Sequence, residues 1–236
     1  MGKCFELRQC IGRRSAWFIV VVLVFTSCSS KTEMRDSTDV PPPPLEEPWK
    51  VVDLSQDRTQ FVDGSGRHED YSSFRADCED KGWIKKTLEI SIDRTKYIRP
   101  VLYRAPDTEV WRGSILILHG GGSHYAHWCN LVNGARVRFA SAALQLGFSV
   151  FLLNSTDITT DAKGNLCGKI WDDNVLSRDN LDLPYVHQVI TKLIPSIRPL
   201  SAANNIFVMG FSSGGFMTTR IATSLSHLIT AFAPIG

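Results

Sequence analysis

Several features are scarce in this chain of 236 residues, and each scarcity excludes a class of protein. No pair of its six cysteines has the close spacing of a zinc or redox motif, and no cofactor or metal is expected. Neither sign of charge dominates: 26 Lys and Arg face 24 Asp and Glu, a formal net charge of +2. A balance this close gives no reason to expect nucleic acid. Long hydrophobic runs are missing too. The unbroken apolar stretch from Ala16 to Phe25 falls short of the roughly 20 residues a helix needs to span a bilayer. Most telling, no Asp or Glu follows Ser212, and the only later histidine is His227. What is present, 43% hydrophobic and 10% aromatic residues, is ample for a packed core.

The amino-terminal stretch reads as an export signal over residues 1–27, with Arg13 and Arg14 before the apolar run and small residues Thr26 and Ser27 at its end. Lys3, Arg8, Arg13 and Arg14 against Glu6 give this segment +3, so the remainder carries 2 − 3 = −1. The stretch Val24, Phe25, Thr26, Ser27, Cys28 resembles a bacterial lipoprotein processing site, which implies lipidation at Cys28. Ser29 in place of aspartate then implies an outer-membrane or cell-surface address. An ordinary cleaved signal, giving a periplasmic or secreted protein, is the alternative. Residues 28–48 contain Pro41 to Pro44, which favour an extended left-handed helix, so the segment reads as a stiff tether. Residues 49–82 have no clear pattern. Cys78, Cys129 and Cys167 remain outside the signal, and an oxidising compartment predicts one disulfide among them. The residues leave the pairing open, although Cys129 with Cys167 would tie together two loops near the candidate site.

From residue 83 onward the pattern is that of an α/β domain. Ile84 to Ile92 alternates apolar and polar, and after Asp93 and Arg94 the run Tyr97 to Arg104 completes an antiparallel hairpin. Ser114 to Leu118, Ser149 to Leu153 and Ile206 to Met209 are continuously apolar, as strands covered on both faces must be. Helices are predicted over Gly134 to Leu146, over Leu181 to Ile194 and from Ser213, before a last buried run, Ile229 to Ile235. This order predicts a mostly parallel sheet with helices on both faces and an antiparallel start.

The chemistry concentrates at two glycine-rich segments. Ile206 to Met209 runs straight into Gly210, Phe211, Ser212, Ser213, Gly214, Gly215 and a helix. A nucleophilic serine has to stand clear of the sheet in a sharp turn, and glycines two residues to either side let strand and helix backbones approach. Ser212 is the candidate nucleophile, and the backbone N–H of Ser213 at the helix start is a candidate oxyanion donor. After the first central strand come His119, Gly120, Gly121 and Gly122, where a second donor is needed; Gly121 or Gly122 would supply it through its backbone. His119 is expected to hold this loop by hydrogen bonds and, with His124, to meet the substrate side. Asp172 and Asp173 read as a solvated turn.

With these motifs the chain resembles the α/β-hydrolase superfamily, and within it secreted esterases such as polyhydroxybutyrate depolymerases and feruloyl or acetyl xylan esterases. The likeness runs over residues 83–236 and rests on His119 to Gly122, the Leu181 to Ile194 helix and Gly210 to Met217. The glycine loop lacks the neighbouring cysteine of the depolymerase pattern. The resemblance implies cofactor-free hydrolysis of carboxylic esters, polymeric or linked to plant cell-wall polysaccharide, through an acyl-serine intermediate. It also implies a triad in the order Ser, Asp or Glu, His. His227, far along the helix from Ser212, is excluded as the base. The acid and base are therefore expected beyond Gly236, and the chain is read as the front part of a hydrolase, impaired as it stands. The competing expectation is a catalytically inactive surface lipoprotein that binds a glycan or ester.

Overall fold

A computed structural model of the chain describes residues 49–54, 60–62, 68–70, 77–130, 134–160, 166–173 and 180–236. The signal segment, Cys28 and the proline-rich tether lie outside the described residues.

The hairpin expected from alternating residues forms as β4 (Ile84–Ile92) and β5 (Thr95–Arg104). Its two-residue turn places Asp93 at φ +43° and Arg94 at φ +59°, the left-handed pair whose twist matches that of the flanking strands. The continuously apolar runs become β6 (Gly113–Leu118), β7 (Phe148–Leu153) and β10 (Ile206–Phe211), and β11 (Ala231–Ile235) follows. An additional strand, β1 (Lys50–Asp53), comes from the stretch that had no clear pattern and pairs parallel to the first half of β5. The sheet runs β1-β5-β7-β6-β10-β11, with β4 on the other side of β5. β5 meets both β4 and β7 in antiparallel fashion, whereas β7, β6, β10 and β11 are mutually parallel. Two small hairpins stand apart: β2 (Gln60–Val62) with β3 (His68–Asp70), and β8 (Asp157–Thr160) with β9 (Leu166–Ile170).

Successive residues of the central strands face opposite cores, which is why these strands read as unbroken apolar runs. Leu116, Leu118, Phe151, Leu153, Ile206 and Val208 enter one core, and Ile117, Val150, Leu152 and Met209 the other. The second core is covered by α1 (Ala135–Gln145), through Ala140, Ala143 and Leu144, and by the short turn Tyr125–Trp128. The first is covered by α4 (Ser213–Ser224) and by a long helix in three parts: α2 (Asp182–Gln188), a π segment (Val189–Leu193) and α3 (Ile194–Ile197). Pro195 in α3 explains the π segment, because a proline ring crowds the carbonyl one turn back and a wider turn relieves it. The predicted helix thus exists but runs past Ile194. Among the described residues no helix is long and apolar enough to cross a membrane.

One expectation is corrected, and one pairing that the sequence left open is fixed. The last apolar run does form a strand, but β11 is exposed along its whole length, with Phe232 at 46% and Ile235 at 37%. It lies at the margin of the described sheet, paired only with β10, so apolar sequence is not matched by cover. The disulfide joins Cys78 to Cys129, so Cys129 is not paired with Cys167. Cys78 and Trp83 pack into the second core beside Tyr125 and Trp128, which brings Cys78 to the turn after the glycine loop. Lys81 reinforces that junction by donating from Nζ to the carbonyls of Cys129 and Asn130, at 3.3 and 2.9 Å.

Candidate active site

Between β10 and α4 the backbone is forced into a conformation that L-residues avoid. Ser212 sits at φ +49°, ψ −119°, exposed, as the residue that opens α4. Its N–H donates to the Ile235 carbonyl at 2.7 Å, and its own carbonyl accepts from Gly215 and Phe216 at 2.7 and 3.1 Å. The turn is held from the strand side and the helix side together. Gly214 shows why a side chain is refused: a methyl group there would stand 2.5 Å from the His119 carbonyl and 2.7 Å from that of Leu118. Gly210 is equally restricted, since its methyl would overlap the Gly214 carbonyl and approach Thr218 Oγ1 to 2.6 Å. These two contacts let α4 descend onto the carboxyl end of β6.

The glycine loop after β6 lies against this turn. A methyl group on Gly120 would be 3.6 Å from Ser212 Cβ, and one on Gly121 3.4 Å from Ser213 Oγ. The segments singled out in the sequence therefore meet. Gly121 is exposed, and its N–H has no partner among the described residues. Gly122 does not qualify as an oxyanion donor: at φ +68° its N–H turns to β9 and donates to the Lys169 carbonyl at 2.9 Å. Of the two glycines considered, Gly121 remains.

The two histidines assigned to the substrate side are both interior, and that assignment is corrected. His119 is 1% exposed, its Nδ1–H donating to the Gly120 carbonyl at 2.8 Å while Nε2 accepts from the N–H of Ser155 at 3.2 Å. Burial holds its pKa well below the ordinary 6.5, opposed by the Gly120 bond and reinforced by His124, Lys169 and His127. The ring is neutral and holds the loop, as expected of it on hydrogen-bonding grounds. His124 is fully buried, its Nδ1 accepting from the Ala126 N–H at 3.2 Å to start the Tyr125–Trp128 turn, with Asn154 Nδ2 3.1 Å from Nε2. Ser123 Oγ pairs with His127 Nδ1 at 2.8 Å.

Behind the loop lies a charged pair that nothing in the local sequence announces. Arg99 on β5 and Asp182 on α2, 1% and 0% exposed, approach to 2.7 Å. The guanidinium also donates to the carbonyls of Asn154 (2.6 Å) and Leu181 (2.7 Å) and lies 3.8 Å over the Tyr185 ring. Asp182 Oδ2 accepts from the Asp172 N–H at 2.8 Å. One residue earlier, Trp171 donates from its indole to the His119 carbonyl at 2.7 Å. Asn154–Ser155 and Trp171–Asp172 are thus clamped by one ion pair, and both segments grip His119. The Asp172 region, read as a solvated turn, is anchored on this clamp through its backbone. The chain signal for it, an Arg in the middle of a predicted strand, is too common to identify a partner.

No histidine of the described residues is hydrogen-bonded to Ser212. His227 is exposed in a short turn beyond α4, and His187 is exposed on α2. Among the described residues no group of His, Cys, Asp and Glu could hold a metal ion.

The antiparallel start, the crossover strand order and the strained serine turn at the carboxyl end of β10 define an α/β-hydrolase fold. No family model and no curated protein matches the chain. Solved structures similar to it include a carboxyl esterase from Bacillus coagulans, 14% identical over 63% of this chain and 43% of its own, with a TM-score of 0.43. A fluorophosphonate-binding serine hydrolase of Staphylococcus aureus is 16% identical over 64% of this chain and 56% of its own, with a TM-score of 0.39. A thermostable esterase is 19% identical over 67% and 41%, with a TM-score of 0.46. The chain spans between 41% and 56% of the length of these three.

Proposed function

We propose that this protein is a serine hydrolase acting on carboxylic esters through an acyl intermediate on Ser212. The observation that carries the reading is the turn itself: an exposed hydroxyl on a residue held at φ +49°, at the start of a helix, against a glycine loop. Backbone strain of this kind costs about 1–3 kcal/mol and persists where the surroundings impose it, most often at functional sites. The helix start and the Gly121 N–H supply positive dipole ends beside the hydroxyl, as a developing oxyanion requires. Substrates on this reading are polymeric or plant-polysaccharide esters, met outside the cytoplasm by a protein anchored through a lipid at Cys28. The resemblance to secreted esterases and the amino-terminal sequence support those finer points.

Incubation with a fluorophosphonate probe and with p-nitrophenyl butyrate tests the reading. Because no histidine of the described residues bonds Ser212, slow labelling and weak turnover are expected in the wild type, and both are expected to fall to background in Ser212→Ala. Labelling that persists in Ser212→Ala would place the nucleophile elsewhere. An inactive ester-binding protein would bind p-nitrophenyl butyrate with no turnover and no label. For the anchor, detergent-phase partitioning of the exported protein should be lost in Cys28→Ala.

A further inference from the structure

One hydroxyl beside the candidate nucleophile is buried and unspent. Ser213 is 7% exposed, and its Oγ has no hydrogen-bond partner among the described residues. Buried hydroxyls are nearly always bonded, because removing one from water without replacement is costly. The usual outlet on a helix is the carbonyl four residues back. Thr218 and Thr219 on the same helix use it, donating to the carbonyls of Gly214 and Gly215 at 2.8 and 3.2 Å. Ser213 is the first residue of α4, and four residues back lies Met209, inside β10. Its hydroxyl instead abuts the glycine loop, 3.4 Å from where a methyl group on Gly121 would be.

The seam between Gly121 and Ser213 therefore holds a set of donors without a partner among the described residues: the Gly121 N–H, the Ser213 N–H at the start of a twelve-residue helix, and the Ser213 O–H. Such a set calls for an acceptor that carries negative charge. We infer that the Ser213 hydroxyl is a further catalytic donor, bonding the oxyanion formed when Ser212 attacks an ester carbonyl. This rests on the reading of Ser212 as nucleophile. As the Ser212 Oγ–carbon bond forms, the carbonyl π pair moves onto oxygen, and Ser213 Oγ–H donates to it. On collapse the pair returns, the bond to the leaving alcohol breaks, and the proton lost by Ser212 ends on that alcohol. Ser213 is left unchanged. Its bond is made in the charged state and not before, which explains why the hydroxyl has no partner among the described residues.

The test compares wild type, Ser213→Ala and Ser212→Ala for the second-order rate of fluorophosphonate labelling and for melting temperature. Displacement of fluoride by Ser212 Oγ puts a phosphoryl oxygen where the oxyanion would be, so the probe reports the donors. Ser213→Ala is expected to label about ten- to hundredfold more slowly. Its melting temperature is expected to be equal to that of the wild type or higher, since the lost hydroxyl bonds nothing among the described residues. A wild-type rate in Ser213→Ala, with Ser212→Ala silent, overturns the inference and leaves the nucleophile in place. A fall in rate and melting temperature together overturns it too, by making the hydroxyl a support of the fold. A wild type that takes no label overturns the Ser212 reading, and this inference with it.

Discussion

The two halves of the candidate site are held in different ways. The serine turn is held by backbone: Ser212 bonds the neighbouring strand through its N–H and the helix through its carbonyl, while Gly210 and Gly214 allow the chains to touch. The glycine loop is held by side chains from distant parts of the chain, through Ser155 and Trp171 on His119 and through Arg99 and Asp182 behind them. A half built from local backbone fails when a local residue grows. A half built from long-range polar contacts fails when a buried partner, far away in sequence, is removed.

The largest effect should come from breaking the long-range half at its charge. Asp182→Ala leaves Arg99 buried without its counter-ion, and is expected to cost about 3–5 kcal/mol of stability in denaturant unfolding. The double substitution Arg99→Met with Asp182→Leu should cost far less, because it removes both charges together. If the single and double variants prove equally damaging, the pair does not act as the clamp described here. Next comes the disulfide. Cys78 and Cys129 are 51 residues apart, so closing that loop should contribute about 4 kcal/mol on loop-entropy grounds. Cys78→Ala should lose most of this, measured by the same unfolding experiment against the oxidised wild type.

Breaking the local half should cost less stability but as much function. Gly214→Ala places a methyl against the Leu118 and His119 carbonyls, an overpacking expected to cost about 1–3 kcal/mol. Because the clash pushes α4 off the loop, fluorophosphonate labelling should drop more than the stability loss alone would suggest. Labelling at the wild-type rate would show that close approach of helix and loop is not needed.

The same contrast explains what could be read from the sequence. The hairpin, the central strands and both glycine segments were legible because each is a local constraint: period, turn chemistry, or a glycine where backbones touch. The place of Ser212 between β10 and α4 follows from those constraints, whereas the choice between Gly121 and Gly122 does not. That choice rests on the direction of the Gly122 N–H, which is set by Lys169 on β9, 47 residues later (169 − 122). The Cys78–Cys129 pair was hidden for a similar reason: Cys78 lies in a stretch without periodicity, and its place is decided by packing against Tyr125 and Trp128. Apolar character in β11 suggested burial, yet burial depends on what covers a strand, which its own residues do not encode. Arg99 and Asp182 share no motif at all.

The smallest expected effect is the titration of His119. Its pKa in the folded chain is held well below 6.5 by burial, with His124, Lys169 and His127 adding to the depression and the bond to the Gly120 carbonyl opposing it. Above pH 6.5 the ring is neutral folded or unfolded, and the full stability is present. As pH falls through 6.5 the unfolded chain takes up a proton that the folded chain refuses, so stability declines toward the folded pKa. Between pH 7.5 and 5.5 this single group should remove about 1 kcal/mol. His119→Gln, which keeps an amide to hold the loop but cannot titrate, should flatten the pH dependence by that amount while lowering stability at pH 7.5. An unchanged slope in that variant would mean that His119 takes up its proton over the same pH range folded and unfolded. The acceptor role of Nε2 toward Ser155, on which the long-range half of the comparison depends, would then have to be given up.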